Sequence, residues 1–243
     1  MNATAAVFKR ELSAYFATPL AYVFIIIFLV LAGVATFQLG GFWQRGQADL
    51  ASFFQFLPWL YLFLIPAIAM RLWAEEFRSG TVELLMTLPV PTWAAVLGKF
   101  LAAWAFAGIA LLFTAPLWVT INNLGDPDNG AVAAGYLGSL LMAGGFLAIG
   151  SALSATTKNQ VIALVLTMIV CFALLLIGFG PFTNWMTGVV PLPIIETLTG
   201  FSFLARFENL SRGVIDIRDL IYFAALIALC LTANTVVVNL RRA

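Results

Sequence analysis

The side chains best placed to do chemistry in this 243-residue chain lie between Arg71 and Pro91. Glu75, Glu76, Arg78 and Glu83 carry fixed charge there, and Ser79-Gly80 reads as the end of one helix. Thr81 reads as the N-cap of a second, with Glu83 in its first turn, where the helix dipole favours an acid. Pro89 and Pro91 close that second helix, leaving Val82, Leu85 and Met86 on one face. The chemistry is docking rather than catalysis: a two-turn helix pinned at both ends offers an apolar strip beside charge-assisted bonds. A tidy helical hairpin loop would carry the same residues, and spacing alone leaves the two readings even.

Catalytic constellations are missing. The chain has no histidine, which removes the commonest general base and metal ligand and excludes both a Ser-His-Asp triad and an H-E-x-x-H zinc site. No G-x-x-x-x-G-K-[ST] phosphate loop and no G-x-S-x-G elbow occurs. Leu210-Ser211-Arg212-Gly213 is only faintly similar to the ABC ATPase signature and stands alone, and Asn209-Leu210-Ser211 is a formal glycosylation sequon of low specificity. Cys171 and Cys230 sit in long apolar runs and read as free thiols.

The elements that must position the 71–91 stretch are set by composition. Hydrophobic residues make up 63% of the chain and charged residues 9%, with twelve basic and eleven acidic side chains and a net charge of +1. Mean hydropathy is +1.02. A soluble domain needs far more polar surface than this, so most of the surface must face lipid. A net charge so small gives no indication of nucleic acid as a partner. Long uncharged gaps mark six spans, near 20–41, 52–72, 93–121, 131–154, 160–180 and 219–239, each expected to be helical because lipid offers no partner to a free backbone group. The first run is too long for a cleaved signal segment and reads as a retained span.

Pro58, Pro66 and Pro116 are expected to kink their spans, and Gly144, Gly145, Gly150, Ser151 and Ser154 to allow close helix contact in the fourth. The spans hold essentially no ionisable group near mid-membrane, which argues against a proton-coupled carrier.

With the N-terminus inside, eight basic residues lie inside (Lys9, Arg10, Arg71, Arg78, Lys99, Lys158, Arg241, Arg242) and four outside (Arg45, Arg206, Arg212, Arg218), so both termini are expected in the cytoplasm. Residues 1–18 read as an amphipathic interfacial helix, with Ala5, Phe8, Leu12, Tyr15 and Phe16 on its apolar face and Pro19 turning the chain into the first span. The outer segment 181–218 reads as short interfacial helices broken by Pro191, Pro193 and Gly200.

The stretch from Ala74 to Val90 resembles the loop after the second span in ABC-2 type permeases, whose pattern A-E-E-x-x-x-G-T-x-E-x-L-x-x-x-P it matches at every stated position. Leu97-Gly98-Lys99 and the run from Arg212 to Phe223 are similar to the same family, and the resemblance covers essentially the whole chain. Within the family it looks most like the short permeases of the gliding-motility and nitrous-oxide-reductase-maturation type.

The resemblance implies a single all-α membrane domain over residues 1–243, in a bacterial inner membrane. It also implies a second permease half, identical or homologous, and a separate ABC ATPase subunit carrying the ATP and magnesium, with no cofactor of the chain's own. It makes residues 74–91 a coupling-helix loop and Ala155–Gln160 a smaller second one. Glu75, Glu76, Arg78, Gly80, Thr81, Glu83, Leu85, Met86 and Lys158 are then the expected ATPase-coupling residues, with Glu76 and Glu83 meeting basic groups on the ATPase. The expected function is ATP-driven movement of a substrate, with no enzyme activity in this chain. The alternative is a mechanical or assembly subunit that drives an extracytoplasmic partner through the same ATPase. An intramembrane enzyme is a distant third reading.

Overall fold

A computed structural model describes residues 3–82, 90–188 and 190–242, and every element assigned among them is helical. Helix α1 (Ala3–Phe16) precedes the first span, α2 (Pro19–Val34). That span runs on into a π-helical turn, Ala35–Leu39, and a short α3 (Phe42–Arg45) follows. The second span is α4 (Ala51–Ala69), and a single turn leads from it into α5 (Ala74–Ser79). The third is α6 (Thr92–Leu112) followed by α7 (Ala115–Leu124), and the fourth is α8 (Asn129–Ser154). Then come α9 (Gln160–Leu176), three short helices, α10 (Gly180–Met186), α11 (Leu192–Thr199) and α12 (Phe203–Ser211), and finally α13 (Ile217–Arg242).

Five of these segments are long and apolar enough to cross a membrane. A sixth is counted only if α9 and α10 form one span, because a 72° bend separates them. The expected fifth span over 160–180 is helical as far as Leu176 and then turns sharply into α10. At the bend the backbone of Gly178 lies so close to Ser202 that a Cβ there would stand 2.1 Å from the Ser202 hydroxyl. Pro116 sits in the first turn of α7, where the third span breaks at Phe113-Thr114. Pro58 and Pro66 lie inside α4 without ending it.

Helix α8 is the hub, packed against α13, α4, α12, α9 and α6. Its sequence explains why. Asp128 caps it, accepting from the amides of Gly130 (2.9 Å) and Ala131 (3.1 Å). Its glycines then let neighbours reach the backbone. A Cβ on Gly135 would meet the Phe54 ring at 2.5 Å, on Gly145 the Phe203 ring at 2.6 Å, and on Gly150 the Ala69 methyl at 2.4 Å. Asn234 of α13 donates to the buried Ser151 hydroxyl of α8 (2.6 Å), a polar tie of the kind lipid-embedded helices use.

The two ends of the bundle differ. At one end Arg206 of α12 binds the fully buried Asp219 in the first turn of α13 (2.8 Å), and Asn209 donates to the other carboxylate oxygen (3.1 Å). Arg206 also reaches the Gly200 carbonyl, and the Tyr222 hydroxyl donates to the Phe201 carbonyl (2.6 Å), so the short helices are bolted to the last span. At the other end lie α5, the 155–159 turn and the last turn of α13.

The close approach along α8 makes a direct prediction. Gly150→Leu forces Ala69 and Thr167 aside and should cost about 1–3 kcal/mol, the range of core overpacking. Gly33→Ala, where nothing lies within 4 Å, should be neutral. Melting of each variant in detergent, followed by monodispersity on size exclusion, checks both.

Candidate functional site

Helix α5 is too short to be stable by propensity, so its neighbours must hold it. Its first amides lack intrahelical partners, as at any helix start. The Ser154 hydroxyl, from the end of α8, accepts from the amides of Trp73 (3.2 Å) and Ala74 (3.0 Å) and donates to the Met70 carbonyl (2.9 Å). Glu75 and Glu76 occupy the first turn and Arg78 the last, the charge order the dipole favours. Gly80 ends the helix at φ +74°, a left-handed conformation that glycine adopts at no steric cost. The Ser79 hydroxyl lies 2.9 Å from that of Thr81. At the far side of α5, Arg241 of α13 places its guanidinium 5.1 Å from the Phe77 ring centre and donates to the Thr156 carbonyl.

The structure brings Glu75, Glu76, Arg78, Gly80 and Thr81 together in and just after α5. Lys158 stands apart, exposed in the turn between α8 and α9 at the same end. Glu83, Leu85 and Met86 lie outside the described residues. Of the expected contact residues, Arg78 and Glu75 form an exposed pair at 2.7 Å, with 64% and 34% of their side-chain surface open. Glu76 points elsewhere. One of its carboxylate oxygens lies 2.7 Å from the ammonium of Lys99 in α6, and Arg10 stands 3.7 Å away. The other oxygen is buried without a partner.

Lys99 is the residue that the sequence pattern hides. It lies seven residues into α6, about 10 Å along the helix axis, and only 2% of its side chain is exposed. Its ammonium contacts both Glu76 and Glu11 of α1 (3.1 Å), and lies 5.5 Å from the centre of the Trp73 ring. Glu11, Arg10 and Ser154 were likewise not among the expected site residues. A signal for Glu11 exists: it follows Val7 by four, and Val7 is the buried residue of α1. Leu12, Tyr15 and Phe16 of the expected face pack against the core, and the Val7–Glu11 row extends that face on one side. Burial pushes the Glu11 carboxyl up, but Lys99 and Arg10 outweigh it and hold it below its ordinary value of 4.5.

Among the described residues, no group of three Cys, Asp or Glu side chains is arranged to hold a metal ion. Cys171 is buried and Cys230 half-buried, both as free thiols.

A bundle of five or six apolar helices, with one short charged helix hung between its second and third spans, defines a polytopic membrane protein. The chain belongs to the ABC-2 family of transporter proteins, whose sequence profile matches residues 44–236. It is similar to heme exporter protein B of Rhodobacter capsulatus, 32% identical over 113 residues, which is 46% of this chain and 48% of that protein. It is also similar to heme exporter protein B of Paracoccus denitrificans, 37% identical over 57 residues, 24% of this chain and 26% of that protein. The chain thus spans about half the length of the first of these relatives and a quarter of the second.

The depressed Glu11 carboxyl fixes the sign of a pH effect. Its contribution to stability is present above the ordinary carboxylate range and is lost as pH falls through the lower folded value. The α1–α6 attachment should therefore be constant from pH 8 down to about pH 5 and weaken below about pH 4. Glu11→Gln should flatten that part of the profile. Protease accessibility of residues 1–18 across pH, in wild type and variant, checks it.

Proposed function

We propose that this chain is the permease subunit of an ATP-driven ABC-2 exporter in a bacterial cytoplasmic membrane. It pairs with a second permease half, identical or homologous, and works with a separate ATPase subunit. The observation that carries this reading is α5. A short helix is held by its backbone to the end of α8 through Ser154, while its exposed Glu75 and Arg78 remain available to a partner. Family membership supports an ABC ATPase as the partner's class; in this reading it pushes on the 74–91 loop and rocks the spans above it. Glu76 contributes by fixing α5 to the bundle, and Glu75, Arg78 and the turn at Gly80-Thr81 form the contact surface.

The names of the two relatives make heme the first cargo to test. These 243 residues include no histidine, so heme moved by this chain would not be ligated by its imidazoles.

The test is retention of the ATPase on the affinity-purified chain from native membranes, with ATP turnover and heme movement measured on the same preparation. Arg78→Glu should lower ATPase retention by about ten-fold, the equivalent of ~1.4 kcal/mol. Arg45→Glu, at the opposite end of the bundle, should leave it unchanged. Wild-type retention in both would remove the docking role from α5. Retention that depends on Arg78, without heme movement but with a tightly bound extracytoplasmic protein, would favour the mechanical reading. The chain freed of its ATPase should turn over no ATP.

Orientation has its own check. In a background lacking Cys171 and Cys230, Asp126→Cys and Glu208→Cys should react with a membrane-impermeant thiol reagent on intact cells, and Ser79→Cys only after lysis.

A further inference from the structure

The cluster at Lys99 holds more than α5. Lys99 touches two carboxylates from different elements, Glu11 of α1 and Glu76 of α5, and among the described residues no other ion pair links either of these elements to a span. A nearly fully buried ammonium is stable only while it is paired, and a buried carboxylate beside it has the same need. The three charges therefore hold one another in place.

The local sequence is shaped for this. Gly98, next to Lys99, lets α1 lie directly on α6: a Cβ there would stand 2.8 Å from Val7 and 3.0 Å from the Thr4 carbonyl oxygen. Further along, the Tyr15 ring stacks on Phe106 at 5.0 Å between centroids with 10° between planes. Helix α1 is thus seated along a span, where the sequence pattern alone placed it flat on the membrane surface.

We propose that Lys99 is a positioning residue that locks α1 and α5 to α6 as one moving body, so that a displacement of α5 carries the N-terminal helix with it. The part of this that concerns displacement rests on the reading of α5 as the ATPase contact; the lock itself does not. The unpartnered oxygen of Glu76 shows that the cluster is not saturated in this conformation. Arg10, already 3.7 Å from the other oxygen, is the cation nearest to hand if α5 shifts.

The lock can be read without any ATPase. Spin labels at Ser13→Cys and Ser79→Cys, both exposed, in a chain lacking Cys171 and Cys230 and held in lipid nanodiscs, report the α1–α5 distance by double electron–electron resonance. The expected result is one narrow distance peak, kept in Lys99→Arg and lost to a broad, longer distribution in Lys99→Met. Glu11→Gln, which leaves the Lys99–Glu76 contact in place, should broaden it in the same way and covers the case in which Lys99→Met does not fold. An unchanged narrow peak in Glu11→Gln and Lys99→Met would overturn the lock.

The displacement is read in the complex with its ATPase. Trapping with a non-hydrolysable nucleotide should move the label at residue 13 relative to one at Asp126→Cys in wild type, and not in Glu11→Gln. Equal movement in both would overturn the coupling of α1 while leaving the lock. Failure of any ATPase to bind would count against the proposed function and leave the nanodisc result standing.

Discussion

An ammonium placed about 10 Å down a membrane helix constrains everything around it. The buried Lys99 ammonium, 5.5 Å from the centre of the Trp73 ring, is paired with two carboxylates that come from chain segments 65 residues apart, Glu11 and Glu76. The requirement acts on both segments. It presses α1 against the third span and fixes the first turn of α5 beneath the second. Ser154 completes the arrangement from the fourth span, and Arg241 from the last. The third, fourth and last spans are thus each tied to α5 by a named contact, and the second leads into it along the chain. Elsewhere in the bundle polar ties between spans are few, such as Asn234 to Ser151 and Trp104 to the Leu140 carbonyl, and most lateral packing is made of ring and methyl contacts.

Helix α8 supplies the complementary constraint. Its glycines remove the side-chain layer between it and its neighbours, so Phe54, Phe203 and Ala69 rest on backbone. Contacts of this kind have no rotamer to adjust. Elements seated on α8 move with it or break contact, whereas α2 shows a broad apolar surface outward.

The fold was largely legible in the sequence because lipid leaves so few options. Uncharged gaps located every apolar segment, the breaker at Gly80 lies where the residue types put it, and the short helices before the last span follow Pro191, Pro193 and Gly200. Two things were not legible. The bend after α9 lies where Ser202, a residue distant in sequence, comes against Gly178, and no pattern within the segment reports that approach. The charge cluster depends on two helices meeting a third, and no periodicity within one segment reports that. Lys99 read as a boundary charge marking the edge of a span, and Glu76 as a contact for another protein, because pairing inside the chain is invisible until the chain is folded. Glu75, Arg78, Gly80 and Thr81 were legible as a group in and just after one short helix, while the anchoring of that helix by Ser154 was not.

The bend after α9 has a consequence for the bilayer itself. Seventeen residues of helix cover about 26 Å, less than the ~30 Å of a typical hydrocarbon layer, and any tilt shortens that further. The chain then turns aside with its backbone still paired, Gly178 donating to the Leu175 carbonyl and Thr183 to that of Phe179. A segment this short is matched by thinning of the lipid beside it or by reach of its flanking side chains, each at a cost of fractions of a kcal/mol per ångström. Helix length thus makes the bilayer itself part of the setting of this one helix.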